Sequence, residues 1–153
     1  MTSHVSEVAV TAWTRLVRGA ATALDTIERR LKLAGLPGLE WYDVLLELDR
    51  TEALRPRELR SSLLMTQPNL SRLVDRLVAE GLIERRDCPD DRRGHLLSIT
   101  DAGRLLRRAM WPAYAAGIEE AISANLSEAD LMRLSALLKP LSATAAPDVA
   151  DKH

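Results

Sequence analysis

Phenylalanine is missing from this chain altogether, and its aromatic residues number only five, three tryptophans and two tyrosines. Any aromatic-lined site must therefore be drawn from that short set. Cysteine is scarcer still: Cys88 stands alone, so no internal disulfide can form, which excludes a disulfide-stapled secreted domain and fits a cytoplasmic protein. No apolar run approaches the ~18 residues that a membrane span needs. The opening residues Met1 to Glu7 lack the basic and apolar regions of a secretory signal. The three histidines, His4, His95 and His153, are too scattered for a metal cluster. Cys88 with His95 is only a pair where a structural zinc site wants about four ligands, so no metal or cofactor is expected. No glycine-rich phosphate loop, nucleophile elbow or metalloprotease helix occurs. Asp90-Asp91 and Glu119-Glu120 are adjacent pairs, which mark solvated turns and helix faces rather than acid–base dyads. The chain offers no candidate active site, and an enzyme is not expected.

What remains is one domain's worth of sequence, 153 residues with 46% apolar and 28% charged side chains. The net charge of −1 hides a gradient. Residues 55–108 hold twelve arginines, no lysine and eight acids, a net charge of +4. The rest holds nine bases against fourteen acids, a net −5. A basic middle with acidic flanks points to a polyanionic partner for the middle, and the arginine fork suits phosphate and guanine.

Leu16, Ala20, Leu24, Ile27, Leu31 and Ala34 recur at steps of three and four, marking a long first helix stopped by Gly35-Leu36-Pro37-Gly38. A second helix is expected from about 40 to 51, and Pro56 opens a short third through about 64. Thr66 should cap a fourth, with Pro68 tolerated in its first turn, that ends at Gly81. The apolar stretch from Leu82 then meets the charged turn Asp87 to Gly94, followed by His95-Leu96-Leu97-Ser98-Ile99-Thr100. This is a two-stranded ribbon with Arg92 and Arg93 expected at its tip beside Gly94. Thr100 or Asp101 caps a long fifth helix, which Pro112 should kink or break. Ser127 with Asp130 opens a last helix carrying Leu131, Leu134, Leu137, Leu138 and Leu141. The tail 143–153 is expected to be disordered.

A wheel of residues 67–80 gathers Leu70, Leu73, Val74, Leu77 and Val78 on one stripe and Pro68, Asn69, Arg72, Asp75, Arg76 and Ala79 opposite. The N-terminal half of such a helix can enter a major groove. Gln67, Asn69, Ser71 and Arg72 are the candidate base or backbone contacts: Arg72 can fork to guanine, and Gln67 or Asn69 can read adenine. Arg76 lies a turn further on, placed for phosphate, and Thr66 with the first free N–H groups can hold a phosphate at the helix start. An arginine at the ribbon tip can enter a narrow minor groove. Two cationic prongs of this kind can straddle a DNA backbone.

The run Asp91-Arg92-Arg93-Gly94-His95-Leu96-Leu97-Ser98-Ile99-Thr100-Asp101-Ala102-Gly103 resembles the wing motif of the MarR family of bacterial transcriptional regulators, an Asp-x-Arg turn and a strand ending Leu-Thr-x-x-Gly, with Ile99 here in place of the leucine. Tyr42 to Leu48 and Ser71 to Ile83 resemble further segments of that family, and the likeness runs from about Val8 to Leu141. It implies a mainly α protein with a small two-stranded β wing, a winged helix-turn-helix within a helical dimer. The single domain 1–153 would divide into dimerisation helices at about 8–35 and 101–142 around a DNA-binding region at about 40–100. The resemblance gives Arg93 the minor-groove role and has Asp91 brace the wing by pairing with an arginine, with Arg85 and Arg86 as candidates. A dimer would present two recognition helices to a pseudo-palindromic operator.

The expected function is sequence-specific DNA binding, a repressor released by a small aromatic or phenolic ligand. Trp13, Trp41 and Tyr42 map near the junction of dimerisation helices and DNA-binding region, with Asp43 alongside, and form the candidate ligand site. Plain core packing explains the same aromatics equally well. Urate-responsive relatives pair an aspartate with two arginines. Asp43 and Arg85 match, but Leu73 replaces the other arginine and the extra N-terminal helix of that subgroup is missing, which argues against urate. Redox-sensing relatives carry a cysteine in the first helix; Cys88 lies elsewhere and reads as a plain surface thiol. The reading from another class is a winged-helix protein-interaction module that has lost DNA binding, a view Asp75 on the groove-facing side favours.

Overall fold

The computed structural model describes residues 4–63 and 65–142, with the backbone alone for Arg92 and Arg93. The expectation for the tail 143–153 lies outside the described residues. Six helices and one hairpin follow in the order α1 (Glu7–Leu33), α2 (Leu39–Asp49), α3 (Pro56–Ser62), α4 (Gln67–Ala79), β1 (Ile83–Cys88), β2 (Asp91–Ile99), α5 (Asp101–Ala121) and α6 (Glu128–Leu138). Among the described residues no helix is long and apolar enough to cross a membrane.

Helix ends follow the local chemistry. Ser6 caps α1 by accepting from Ala9 N at 3.2 Å. Both α1 and α4 end on a glycine in the left-handed region, Gly35 at φ +69° and Gly81 at φ +71°. In each, the next residue's N–H reaches back to the last turn, Leu36 to Leu31 O at 3.0 Å and Leu82 to Leu77 O at 2.9 Å. Gly38 cannot cap α2 with a side chain, so Glu28 of α1 does so, accepting from Leu39 N at 2.9 Å. Thr66 sits at the cap position of α4 but makes no side-chain capping bond. One of the two amides such a cap would bond belongs to Pro68, which has no N–H. Of the kink or break expected at Pro112, the break does not occur: helix α5 runs through it. Its packing along α1 outweighs one lost backbone hydrogen bond; Gly117 lies so close to α1 that an added Cβ would stand 2.8 Å from Ile27 Cα.

Two apolar clusters result. The larger joins α2, α3, α4 and the hairpin through Val44, Leu45, Leu48, Leu59, Leu77 and Leu97, with others around them. The smaller joins α1, α2 and α5 through Ile27, Leu31, Leu39, Tyr42 and Met110. Trp41 and Leu106 pack against both. Asp49 at the end of α2 clamps the two bodies together, accepting from Arg104 Nε at 3.0 Å and Arg107 Nε at 2.9 Å.

The hairpin is antiparallel, from Ile83 opposite Ile99 to Asp87 opposite His95. Cys88 then pairs with Asp91, leaving Arg92, Arg93 and Gly94 as an insertion in β2. The turn is therefore Pro89-Asp90, and Arg92, Arg93 and Gly94 belong to the strand, not to the tight turn expected at the tip. Pro89 has no N–H to continue a ladder, which places the reversal there. Leu54 adds an isolated bridge to Leu97, with N···O distances of 2.9 and 2.8 Å.

Candidate nucleic-acid interface

Helix α4 turns Leu70, Leu73, Val74 and Leu77 into the larger cluster. That orientation leaves Thr66, Gln67, Pro68, Asn69, Ser71, Arg72, Asp75 and Arg76 exposed. The polar face is already organised. Arg72 donates to Asn69 Oδ1 at 2.8 Å, and Arg60 of α3 donates to Gln67 Oε1 at 3.1 Å. Asp75 accepts from Arg85 of β1, so the acid on this exposed face is neutralised by a base of the hairpin. Arg76 lies over the Trp41 ring, its guanidinium carbon 5.5 Å from the centroid.

The base of the wing is anchored by Thr100. Its hydroxyl donates to Gly81 O at 2.7 Å and accepts from Gly103 N at 3.1 Å, capping α5. Arg86 pairs with Glu84 at 2.6 Å, and that hydrogen bond and charge hold the Glu84 carboxyl below its ordinary value. Of the two arginines offered as partners of Asp91, Arg85 pairs with Asp75 and Arg86 with Glu84; the Asp91 side chain also lies against Gly94, where an added Cβ would stand 3.2 Å from its Oδ2. Cys88 is buried, contrary to the expected surface thiol, and its Sγ accepts from Arg55 Nη2 at 3.3 Å. The bulged register turns it inward and ties the wing to the start of α3. Between α3, α4 and the hairpin opens a cleft of ≈ 420 Å³ lined in part by Arg57, Arg60, Ser71, Arg85 and His95.

A helix with an exposed polar face, backed by a buried stripe and flanked by a β hairpin, is a winged helix. The MarR family model matches residues 34–94, which span α2 to the wing. The multiple antibiotic resistance protein MarR of Escherichia coli K12 is 29% identical over 98 residues, covering 64% of this chain and 68% of that protein. The transcriptional repressor MprA of the same organism is 30% identical over 90 residues, covering 58% of this chain and 51% of its own length. The crystal structure of Sco3205, a MarR family regulator from Streptomyces coelicolor in complex with DNA, superposes with a TM-score of 0.83 at 24% identity, covering 99% of this chain and 96% of that one. The chain is a winged-helix protein that is similar, over residues 34–94, to the MarR family of transcriptional regulators.

The aromatic residues of the chain divide between two places. Tyr42 is buried and meets Trp111 at 6.2 Å and Tyr114 edge-on at 4.9 Å between ring centroids. Asp43 is half-buried beside them. Burial, with the charges of Glu47, Glu28 and Glu40, pushes its carboxyl up to about 6. Burial, Asp43 and Tyr42 push the Tyr114 hydroxyl up to about 12. Trp13 stands apart: it is 66% exposed and precedes Leu31 by roughly 27 Å along the α1 axis at ~1.5 Å per residue. One chain therefore brings together Trp41, Tyr42 and Asp43 but not Trp13. What sequence reasoning overlooked are the contacts that connect elements: Trp41 under Arg76, Arg85 on Asp75, and Arg55 on Cys88. Only the arginine richness of 55–108 signalled them.

Proposed function

We propose that this protein binds a pseudo-palindromic DNA operator as a homodimer and represses transcription where that operator overlaps a promoter. The observation that carries the reading is the exposed face of α4, with its organised Gln67, Asn69, Arg72 and Arg76, beside a wing whose strand contains Arg92 and Arg93. Thr66, Pro68 and Ser71 complete the α4 contact, and Asp91 supports the wing. Dimerisation through α1, α5 and α6 is supported by apolar side chains left uncovered in one chain, among them Val8, Trp13 and Val17 of α1 and Met132 and Leu137 of α6. Trp13 belongs to that face. A second copy covering it would set the spacing of the two α4 helices.

A small aromatic ligand entering beside Trp41, Tyr42 and Asp43 lowers DNA affinity by favouring a dimer whose recognition helices no longer match the operator. A hundredfold loss needs ~2.7 kcal/mol of differential affinity between the two states. The deciding experiment measures binding to random duplex and to operator at two salt concentrations. A DNA binder weakens steeply as salt rises. A protein-interaction module, the reading from another class, shows little affinity at either; the pairing of Asp75 with Arg85 removes the feature that favoured it. Titration with aromatic acids then tests the ligand: an acid that quenches tryptophan emission must also be bound less tightly when operator is present.

A further inference from the structure

Two side chains meet where the apolar clusters adjoin. Trp41, in the first turn of α2, packs against both clusters, so its indole is held from two sides. Arg76, in the last turn of α4, places its guanidinium over that ring, 5.5 Å from the centroid. Arg76 is exposed, and among the described residues no carboxylate pairs with it. Its acidic neighbour Asp75 is engaged instead by Arg85.

The chemistry of this arrangement is specific. The negative face of the indole attracts the cation without consuming its N–H donors, whereas a carboxylate would occupy them. An arginine so held keeps its full charge and its outward donors for another acceptor. It also sits on a rigid platform, because an indole wedged between two packed clusters cannot change rotamer freely. A free arginine side chain would lose more rotamer entropy on meeting a fixed oxygen.

We propose that Trp41 is a positioning residue for DNA binding: it holds Arg76 ready for a backbone phosphate beside the groove. The inference rests on the DNA-binding reading above. Arg76 makes the contact, and Trp41 acts only through it. Because phosphate carries no sequence information, the effect falls equally on operator and random duplex.

The test is a double-mutant cycle on the full chain, reading affinity for labelled operator and random duplex across a salt series. Trp41→Leu and Arg76→Ala should each weaken both bindings roughly three- to fivefold per subunit, the scale of one exposed cation–π contact. Arg76→Ala should also lower the salt slope by about one per subunit, about two for the homodimer. Trp41→Phe, which keeps an aromatic face, should retain most of the affinity. The double variant should bind no more weakly than Arg76→Ala alone. Thermal unfolding identifies a Trp41→Leu chain that does not fold; Trp41→Met then takes its place in the cycle. The inference is overturned if the Trp41 substitution costs the same factor with and without Arg76, since Trp41 would then act through packing alone. It is equally overturned if removing the indole tightens binding, since the ring would then be holding Arg76 back. In both cases salt-sensitive binding by the unaltered chain keeps the DNA-binding reading intact, whereas its absence defeats both.

Discussion

Thr100 and Gly103 give the wing motif its physical meaning. The Thr100 hydroxyl caps α5 while donating to Gly81 O, so one side chain ties the end of α4 to the start of α5. Gly103 then lets α5 pass over the chain at Leu82: a Cβ there would run into Leu82 O and stand 2.7 Å from Ile99 Cγ1. Backbone cannot yield as a side chain can. Gly103→Ala should therefore destabilise the fold by about 2–3 kcal/mol, the upper part of the overpacking range, seen as a lowered midpoint in denaturant. Asp43 makes the opposite prediction. Its folded value of about 6 lies above its ordinary 3.8, so the native state holds the proton more tightly than the unfolded chain. Stability contributed by the protonated form is lost as pH rises from about 4 through 6. Asp43→Asn should remove that slope and raise stability near neutral pH by at most about 3 kcal/mol. Thermal melts of both chains across that range check it; parallel curves for variant and parent would refute the assignment.

The helices were legible because their signals are local. Apolar steps of three and four, Thr100 and Ser127 at caps, and Gly35 and Gly81 at helix ends all act within one turn of themselves. Expectations departed from the structure where distant partners decide. Pro112 does not break α5, which is held along its length against α1. The wing turn reads as Arg92-Arg93-Gly94, yet the strands pair so that Pro89-Asp90 makes the reversal and those three residues become an insertion in β2. Cross-strand register depends on both strands and the core beneath them, which no single stretch reveals. At this scale the wing carries its own prediction. Arg93→Ala should weaken operator binding by about 1–3 kcal/mol, one good groove contact, with the melting temperature unchanged. Equal operator affinity in a folded variant would remove Arg93 from the interface.

At the scale of the whole molecule, α6 stands out among the α-helices of the described chain. None of its residues is buried, and Met132 and Leu137 are 69% and 72% exposed. Together with the open face of α1 this surface makes a lone chain poorly suited to water. The protein should therefore run as a dimer in light scattering. A chain ending at Asn125 should aggregate or unfold, and a well-behaved truncated monomer would contradict the assembly. The sequence by itself determined the helices, the two-stranded wing, the buried stripe of α4 and the basic middle of the chain, because periodicity, caps and charge are written in neighbouring residues. Only the tertiary structure decided that Arg85 neutralises Asp75, that Cys88 is buried against Arg55, that Trp41 lies under Arg76 and that Trp13 stands away from Tyr42. Each of these joins or separates residues from different elements. Their meeting depends on how helices and strands pack, which is set by the shape of the two cores and not by any one segment.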